Sequence, residues 1–384
     1  MEDLNSTYNK ANSILEIRRN RADDGAVFKR LAQFAEQTLE ISGNDYRSRI
    51  IKEACHQLLR ARNVEGRPSF FLRDHIVEEI KRITDTELGR YLYYRYRYDI
   101  FPQTRELDDF PPCLQIEPSS ICNYRCVFCY QTDAEFTHAQ NGHMGVMGFE
   151  LFKEIVDQAD GPCEAITLAS RGEPLICRDI EKMLGYAANK FLAFKINTHA
   201  GFLDERKAHA ILSAGVNTLV YSADAAAEPL YSRLRVNGKL DRVVANIERF
   251  QKIRETHYAG SRTITRISGV RYRPEQNLDE MEKFWGNLVD QVAFVDYNPW
   301  ENTYGRPLTD IETPCSDLWR RMFVWWNGVV NPCDVDYKST LAVGNAKEST
   351  LTGLWRSEKY DRLREMHLNR QRSLAFPCQR CTVT

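Results

Sequence analysis

Residues 114–130 read LQIEPSSICNYRCVFCY, a short β-rich run followed by three cysteines within eight residues. The cysteines are Cys122, Cys126 and Cys129, spaced C-x3-C-x2-C, so one short loop can wrap a single metal site with all three thiolates. Electron-carrying ferredoxins normally give a cubane iron-sulfur cluster four cysteines, one for each iron. A cubane held by this loop would therefore leave one iron open to an outside ligand. A zinc site is the alternative for such a set of thiols.

Short β-rich runs alternate with amphipathic helical segments after Pro111-Pro112. The predicted strands are 114–117, 165–169, 194–197, 218–222, 263–270 and 292–297, and the predicted helices between them are 149–158, 179–190, 204–213, 240–254 and 278–288. Six β/α units in series indicate a parallel sheet, and right-handed crossovers curl such a series toward a barrel. The predicted fold class is therefore α/β, a partial (β/α)6 TIM-like barrel.

The loops after the predicted strands carry further motifs. Residues 170–175, SRGEPL, follow the second strand, and residues 197–199, NTH, follow the third. Residues 222–224, SAD, follow the fourth strand, with YSRLRVNG at 231–238 shortly afterwards. Functional side chains of such barrels lie on the loops after the carboxyl ends of the strands. We therefore expect these loops to lie beside the three-cysteine loop.

The C-x3-C-x2-C spacing, with the aromatic Phe128 before the last cysteine, resembles the signature of the radical S-adenosylmethionine (SAM) superfamily. The resemblance implies a 4Fe-4S cluster whose open iron chelates SAM, and whose electron breaks the sulfonium bond to give a 5′-deoxyadenosyl radical. SRGEPL resembles the family's Gly-Gly-Glu-Pro motif, with Arg171 in place of the first glycine, and residues 222–238 resemble its Ser-x-Asp and Tyr-x-x-x-Arg region. The implied SAM contacts are Phe128, Gly172, Glu173, Asn197, Ser222 and Arg235.

A second set of cysteines lies beyond the predicted barrel: Cys315, Cys333, Cys378 and Cys381. The Asn-Gly pair in MFVWWNGVV, residues 322–330, predicts a type I′ hairpin that brings the first two together. An amphipathic helical stretch over 351–366 can return the chain so that the last two complete a four-thiolate set, which suits zinc as well as a cluster. The C-x17-C and C-x2-C spacing resembles the twitch domain, the short relative of the SPASM domain, of radical SAM dehydrogenases that act on aminocyclitols. The resemblance implies an auxiliary 4Fe-4S cluster.

The predicted organisation is a helical N-terminal region over 1–110, the barrel over 111–305 and the auxiliary-cluster domain over 306–384. Within the N-terminal region, we expect helices over 46–62 and 72–88. The stretch RYLYYRYRYDIF, residues 90–101, is predicted to be an amphipathic element that packs its tyrosines and exposes its arginines. A stacking surface for nucleic acid is the alternative.

The composition is that of an ordinary globular protein, with 43% hydrophobic residues, 27% charged residues and a formal net charge of -1. This charge gives no reason to expect nucleic-acid or anionic-membrane partners. Neither a signal segment nor an apolar run of spanning length is recognisable. We therefore expect a cytoplasmic protein without nucleic-acid or membrane partners.

An auxiliary cluster with a cysteine on every iron cannot chelate substrate, so its simplest task is to move an electron. The sequence therefore favours SAM-dependent oxidation of an alcohol on a polar small molecule, such as a sugar or an aminocyclitol, with reduced flavodoxin or ferredoxin as electron donor. The alternatives are a peptide maturase, a redox-neutral epimerase and a non-enzymatic zinc-binding interaction protein. The catalytic candidates are Arg171, His199 and Cys177, the last as a hydrogen-atom donor for an epimerase. The candidate substrate contacts are Glu117, Arg171, Arg266 and Tyr297, each of which also suits a structural role.

Overall fold

The computed structural model describes residues 7–8, 10, 14–18, 24–40, 45–59 and 70–384. The helices are α1 (Asp24–Glu40), α2 (Tyr46–Leu59), α3 (Asp74–Lys81), α4 (Asp85–Thr104), α5 (Ala134–Thr137), α6 (Phe149–Ala159), α7 (Ile180–Ala187), α8 (Glu205–Ser213), α9 (Leu230–Leu234), α10 (Leu240–His257), α11 (Leu278–Trp285), α12 (Leu351–Trp355) and α13 (Glu358–Leu368). The strands are β1 (Ile14–Arg18), β2 (Cys113–Ile116), β3 (Arg125–Cys126), β4 (Ala165–Leu168), β5 (Ala193–Thr198), β6 (Thr218–Ser222), β7 (Arg235–Val236), β8 (Ile264–Arg271), β9 (Gln291–Asp296), β10 (Arg321–Val324), β11 (Val329–Asn331) and β12 (Gly344–Asn345).

Six parallel strands form the barrel sheet, in the order β2-β4-β5-β6-β8-β9. Side chains alternate between the two faces of each strand. In β5, Phe194 and Ile196 are buried in the large core beneath the helices, whereas Lys195 and Asn197 face the barrel interior. Each of the six predicted strands differs from the observed one by at most one residue at either end. The predicted α/β partial barrel is confirmed.

Four further strands extend the sheet at its edges, β1 at one edge and β10, β11 and β12 at the other. At one edge, β10 pairs parallel to β2, with Phe323 opposite Gln115. At the other edge, β1 pairs antiparallel to β9, so the N-terminal region is not wholly helical as predicted. A five-residue run such as ILEIR is too short for its periodicity to separate strand from helix. Since β10 lies after residue 305, the sheet crosses the predicted domain boundary there, and the boundaries themselves stay predictions.

The N-terminal helices form a second hydrophobic core against the amino-terminal end of the barrel. This core includes Cys113 and Ala165, the first residues of β2 and β4, and Ala193, the first residue of β5, packs against it. The helices therefore cover the end of the barrel opposite to the motif loops. Among the helices of the described residues, none has both the length and the apolar character that crossing a membrane requires.

The helix predicted over 72–88 is in fact two helices, α3 and α4. They separate at Thr84, whose N–H donates to Oε2 of Glu87 at 2.7 Å and so caps the start of α4. The helix predicted over 46–62 corresponds to α2, and its last three residues lie outside the described part of the chain.

The prediction that residues 90–101 expose their arginines is wrong for Arg95 and Arg97, which are buried within α4. Arg95 donates to both carboxylate oxygens of Asp99, one turn later, at 2.9 and 2.8 Å. Arg97 donates to the carbonyl of Phe110 at 2.7 Å and pairs with Asp108, also at 2.7 Å. Both cations are thus compensated inside the protein, and this burial also excludes them from a nucleic-acid stacking surface.

The predicted hairpin forms from β10 and β11, but its turn differs from the predicted type. A type I′ turn needs a positive φ at both central residues. Gly328 has a φ of +91°, whereas Asn327 is not among the described residues with positive φ. Instead, the N–H of Gly328 donates to the carbonyl of Trp325 at 2.9 Å. The helical stretch predicted over 351–366 is divided into α12 and α13.

Candidate active site

The three-cysteine loop follows β2 and is held at the carboxyl end of the barrel. Its residues Arg125 and Cys126 form β3, which pairs with β7 so that Cys126 lies opposite Arg235. The N–H of Cys129 donates to the carbonyl of Cys126 at 3.0 Å, and the hydroxyl of Tyr130 donates to the carbonyl of Ser170 at 2.7 Å. These contacts join the cysteine loop to the loops after β4 and β6.

The three thiols lie within electrostatic range of one another in a buried setting. Burial raises the pKa of the Cys129 thiol to about 12, and the neighbouring Cys126 adds to the rise. Burial, followed by Glu173, Cys129 and Cys126, also raises the pKa of Cys122. Thiols in such a place become thiolates when a metal compensates their charge, because metal binding displaces the protons. This arrangement fits a cluster with one thiolate from each cysteine.

The loop after β4 packs tightly against the cysteine loop at Gly172. A Cβ added at this position would lie 2.4 Å from the carbonyl carbon of Ser120 and 2.6 Å from the carbonyl oxygen of Ile121. Only a residue without a side chain permits this approach of the two backbones. Gly172 therefore sets the distance between the cysteine loop and the SRGEPL loop.

Glu173 fastens the same loop to the end of β5. Its carboxylate accepts hydrogen bonds from the N–H of Leu175 at 3.1 Å, the Thr198 hydroxyl at 2.6 Å and the N–H of His199 at 2.9 Å. The side chain is buried and its oxygens are occupied by the chain itself. Its contribution to a SAM site would therefore be to position the loop. The backbone groups of that loop would then make the contacts with SAM.

Both nitrogens of His199 are engaged within the protein. Nδ1 accepts from the N–H of Gly201 at 2.9 Å, so the proton belongs on Nε2, which lies 3.0 Å from Oδ1 of Asn123. The ring stacks on Tyr124 with 3.8 Å between centroids. Burial lowers the pKa of His199, and the ring stays neutral at pH 7. It therefore supports the cysteine loop, and no free nitrogen remains for proton transfer.

Arg235 lies directly against the cysteine loop. Its Nε pairs with Oδ2 of Asp224 at 2.6 Å, its Nη1 is 3.7 Å from Sγ of Cys126, and its guanidinium lies 5.8 Å from the Phe128 ring. Asp224 also accepts from the N–H of Val270 at 2.7 Å, and this aspartate was not singled out from the sequence. The pair fixes the guanidinium at the cluster loop, in a place suited to a SAM carboxylate.

The remaining predicted SAM contacts lie at the ends of neighbouring strands. Ser222 is the last residue of β6 and is half-buried. Asn197 is the fifth residue of β5, and its Oδ1 is buried without a hydrogen-bond partner among the described residues. Such a group is costly to leave unsatisfied, which favours a bound ligand at this position. The structure thus brings the six predicted SAM contacts to the carboxyl end of the barrel.

Glu117 and Arg171 form a buried ion pair. The guanidinium donates to both carboxylate oxygens at 2.7 and 2.6 Å, and Nη1 donates to the carbonyl of Tyr337 at 2.9 Å. The same group lies 4.2 Å from the Trp325 ring. Each charge is therefore used in joining the barrel to the C-terminal domain, and this accounts for both side chains without a substrate.

The other catalytic and substrate candidates are dispersed. Cys177 is packed in the large core, with Sγ 3.8 Å from both the carbonyl of Met147 and Sδ of Met183. Arg266 lies near the start of β8, on the inner face of the barrel. Tyr297 follows β9 and contacts Tyr272, whose ring in turn contacts Phe128 at 5.4 Å.

Glu301 was missed because no motif surrounds it in the sequence. The Tyr297 hydroxyl donates to its Oε1, while its Oε2 is buried without a hydrogen-bond partner among the described residues. Glu301 lies close enough to Cys129 to help raise the pKa of that thiol. One carboxylate oxygen is therefore fixed and the other is unused, beside the cysteine loop.

The second cysteine set lines a single cavity in the C-terminal domain. Its walls contain Cys315, Cys333, Cys378 and Cys381, with apolar side chains such as Leu318 and Val383 around them. Two backbone N–H groups donate to sulfur, from Val335 to Cys333 at 3.3 Å and from Val383 to Cys381 at 3.4 Å. Four thiols around one mainly apolar cavity fit a cluster with a cysteine on every iron.

Two buried side chains position the segments of this thiol cage. Arg372 donates to the carbonyls of Thr313 at 3.0 Å, Cys378 at 3.2 Å and Cys381 at 2.6 Å. His367 accepts from the N–H of Cys315 at 3.1 Å, and burial lowers its pKa to about 3, so the ring is neutral. Neither residue was identified from the sequence, because only the fold brings them beside the cysteines.

Comparison with protein families gives two matches. The radical SAM superfamily matches residues 116–284, and the SPASM iron-sulfur cluster-binding domain matches residues 315–382. Together the two ranges span more than half of the chain and contain both cysteine sets. A search of curated proteins returned no match.

Solved structures similar to this chain include two of SuiB, which share its fold, and one of BtrN. SuiB from Streptococcus suis bound to S-adenosylmethionine has a TM-score of 0.51 and 17% identity, covering 74% of this chain and 74% of SuiB. SuiB bound to its precursor peptide SuiA has the same TM-score with 15% identity, covering 90% of this chain and 84% of SuiB. BtrN in complex with AdoMet and 2-DOIA has a TM-score of 0.48 and 17% identity, covering 72% of this chain and 94% of BtrN. At these identities the likeness concerns the fold alone.

Proposed function

Because the chain belongs to the radical SAM superfamily and carries a SPASM iron-sulfur domain, we propose that it is a dehydrogenase that oxidises an alcohol group of a polar small molecule. Its cofactors are SAM and 4Fe-4S clusters. When bound, these groups supply a 5′-deoxyadenosyl radical that takes a hydrogen atom from the carbinol carbon, and an auxiliary cluster that accepts one electron as the hydroxyl proton is lost. The substrate thus loses two hydrogens and becomes a carbonyl compound.

The four-thiolate cavity is the observation that carries this proposal. Cys315, Cys333, Cys378 and Cys381 all line it, so every iron of a cubane there has a cysteine available. A fully ligated cluster leaves no iron for substrate binding, and electron transfer is then its simplest task. A net oxidation requires an electron acceptor, whereas a redox-neutral rearrangement does not.

Glu301 is the group that we assign to receive the hydroxyl proton. A general base needs a free oxygen within reach of the substrate, and Oε2 of Glu301 has no hydrogen-bond partner among the described residues. The hydrogen bond from Tyr297 to Oε1 fixes the orientation of the carboxylate. Its effect on the pKa of Cys129 supports this assignment, because it indicates that Glu301 lies near the cysteine loop at the carboxyl end of the barrel.

The proposal is tested with protein reconstituted anaerobically and supplied with SAM and reduced flavodoxin or ferredoxin. Polar metabolites are screened for those that increase 5′-deoxyadenosine formation, and each product is identified by mass. We expect a product two hydrogen atoms lighter than its substrate. A product with the oxidation level of the substrate, or a modified peptide as the only product, would overturn the proposal.

Replacing Glu301 by glutamine should slow formation of the oxidised product about 100-fold, since general bases contribute about 10²- to 10⁴-fold. Hydrogen-atom removal does not need the base, so deuterium should still pass from a carbinol-labelled substrate into 5′-deoxyadenosine. The measurement compares the rate of product formation with the rate of label transfer.

The matched control is Tyr297→Phe, which keeps the carboxylate and removes only the hydroxyl that orients it. This variant should lose less product formation than Glu301→Gln. Equal loss of product and of label transfer in Glu301→Gln would show that Glu301 supports the fold of the site and is not the base.

A further inference from the structure

A cavity of about 250 Å³ lies inside the barrel, between the inner face of the sheet and the helices α3 and α4. Its walls from the sheet include Thr167, Lys195, Asn197 and Ser268, which are polar. Interiors of small barrels are usually filled by packed apolar side chains. A polar cavity of this size therefore suits a small hydrophilic molecule more than it suits packing alone.

Positive charge predominates around this cavity. The lining cations are Lys10, Arg73, Arg95, Lys195, Arg266 and Arg321, and the lining carboxylates are Glu79 and Asp99. Several cations are compensated: Arg95 binds Asp99, and Lys10 pairs with Asp317 at 2.9 Å and Asp334 at 2.6 Å. Lys195 and Arg266 form no ion pair with any described residue, and the lining carboxylate Glu79 acts on both of them only at longer range.

Lys195 forms no ion pair or hydrogen bond with any described residue, and its side chain faces the cavity. Arg266 has one bond, from Nε to Oε1 of Gln291 at 2.7 Å, while its Nη2 is buried without a partner. Burial lowers the pKa of Lys195 to about 8, and Arg321 and Arg266 add to this lowering. Arg266 is buried and Lys195 is half-buried, so both charges are at least partly withdrawn from water without a paired carboxylate. Such a charge is destabilising, and an anion between these side chains would offset that cost.

We infer that this cavity binds the anionic group of the substrate, a carboxylate or a phosphate, through Lys195 and Arg266. The inference rests on the proposed function and specifies its substrate class as a small anionic alcohol. Lys195 lies two residues deeper in β5 than Asn197, about 6.6 Å along the strand. The anion would thus lie toward the closed end of the barrel, and the reacting carbon would point toward Asn197 and the cysteine loop.

The test measures binding of inorganic phosphate and of acetate to the reconstituted holoprotein with SAM and without reductant. Titration calorimetry at constant ionic strength should give saturable binding of at least one anion, and the stronger of the two identifies phosphate or carboxylate. Lys195→Met should weaken that binding at least tenfold. Arg266→Met should do the same, and Arg266→Lys should recover part of the affinity because it restores the charge.

The matched control is Lys182→Met, which removes a lysine whose side chain is 70% exposed on α7. It should bind the anion as the wild type does. Without anion, Lys195→Met should melt at a higher temperature than the wild type, since an uncompensated charge is lost. No saturable binding to the wild type, or equal binding to wild type and Lys195→Met, would overturn the inference.

This result is independent of turnover. If the anion binds but the product has the same oxidation level as the substrate, the cavity assignment stands and the dehydrogenase proposal is refuted. If an oxidised product forms but no anion binds, the dehydrogenase proposal stands and the cavity assignment is refuted.

Discussion

Replacing Cys126 by alanine is expected to abolish 5′-deoxyadenosine formation and to halve the iron content, from about eight to about four atoms per chain with one cubane lost. The remaining two thiols of the loop cannot complete a three-thiolate set. The variant also removes the sulfur that lies 3.7 Å from Nη1 of Arg235, so the guanidinium loses its contact with the cysteine loop. The measurements are iron and sulfide analysis after anaerobic reconstitution, and chromatography of SAM cleavage products.

The matched control for this variant is Cys55→Ala. Cys55 is completely buried in α2, in the core of the N-terminal helices and far in sequence from both cysteine sets. This variant should keep the full iron content and the full rate of SAM cleavage. If Cys126→Ala still cleaved SAM, or if it kept all of its iron, Cys126 would not be a cluster ligand.

The barrel could be predicted because its signals are local. Each of the six predicted strands is a short apolar run beside an amphipathic helix, and the cysteine loop lies where such a barrel places its chemistry. The strands β1 and β10 were not predicted as parts of this sheet, since their places depend on pairing with β9 and β2. Pairing over such a sequence separation leaves no local pattern.

Charged and polar side chains that face the interior were the main feature that the sequence did not reveal. In β5, Lys195 and Asn197 alternate with Phe194 and Ile196, a pattern that also describes a strand with one solvent-facing side. In a barrel, the polar side faces the interior instead. Arg97 was likewise expected at the surface. Its partner Asp108 lies beyond the end of α4, so no pattern within the helix indicates that the charge is compensated inside the protein.

The site residues that belong to short sequence motifs lie beside the cysteine loop, as expected. The contacts that orient these residues were not predicted. Gly172 and Arg235 both lie against the cysteine loop. Asp224 lies inside the Ser-x-Asp motif, but its pairing with Arg235 depends on how the ends of the strands meet. Glu301 lies in no motif, and its contact with Tyr297 follows from tertiary geometry alone.

Replacing Cys378 by alanine should separate the two clusters functionally. The auxiliary cluster should be lost, leaving about four irons per chain, while Cys122, Cys126 and Cys129 are untouched. SAM cleavage in the presence of substrate should therefore persist. The oxidised product should fall at least 100-fold relative to 5′-deoxyadenosine, because the substrate radical has no acceptor for its electron. The ratio of product to 5′-deoxyadenosine, measured in single turnover, is the decisive quantity.

Cys163→Ala is the matched control, because this thiol is completely buried in the barrel core and belongs to neither cysteine set. It should keep both clusters and a product ratio equal to that of the wild type. Melting temperatures of the two variants separate loss of the cluster from loss of the fold. Undiminished oxidised product from a Cys378→Ala protein with four irons would mean that the electron leaves by another route. The auxiliary cluster would then be structural, and the argument from its four thiolates to a dehydrogenase would fail.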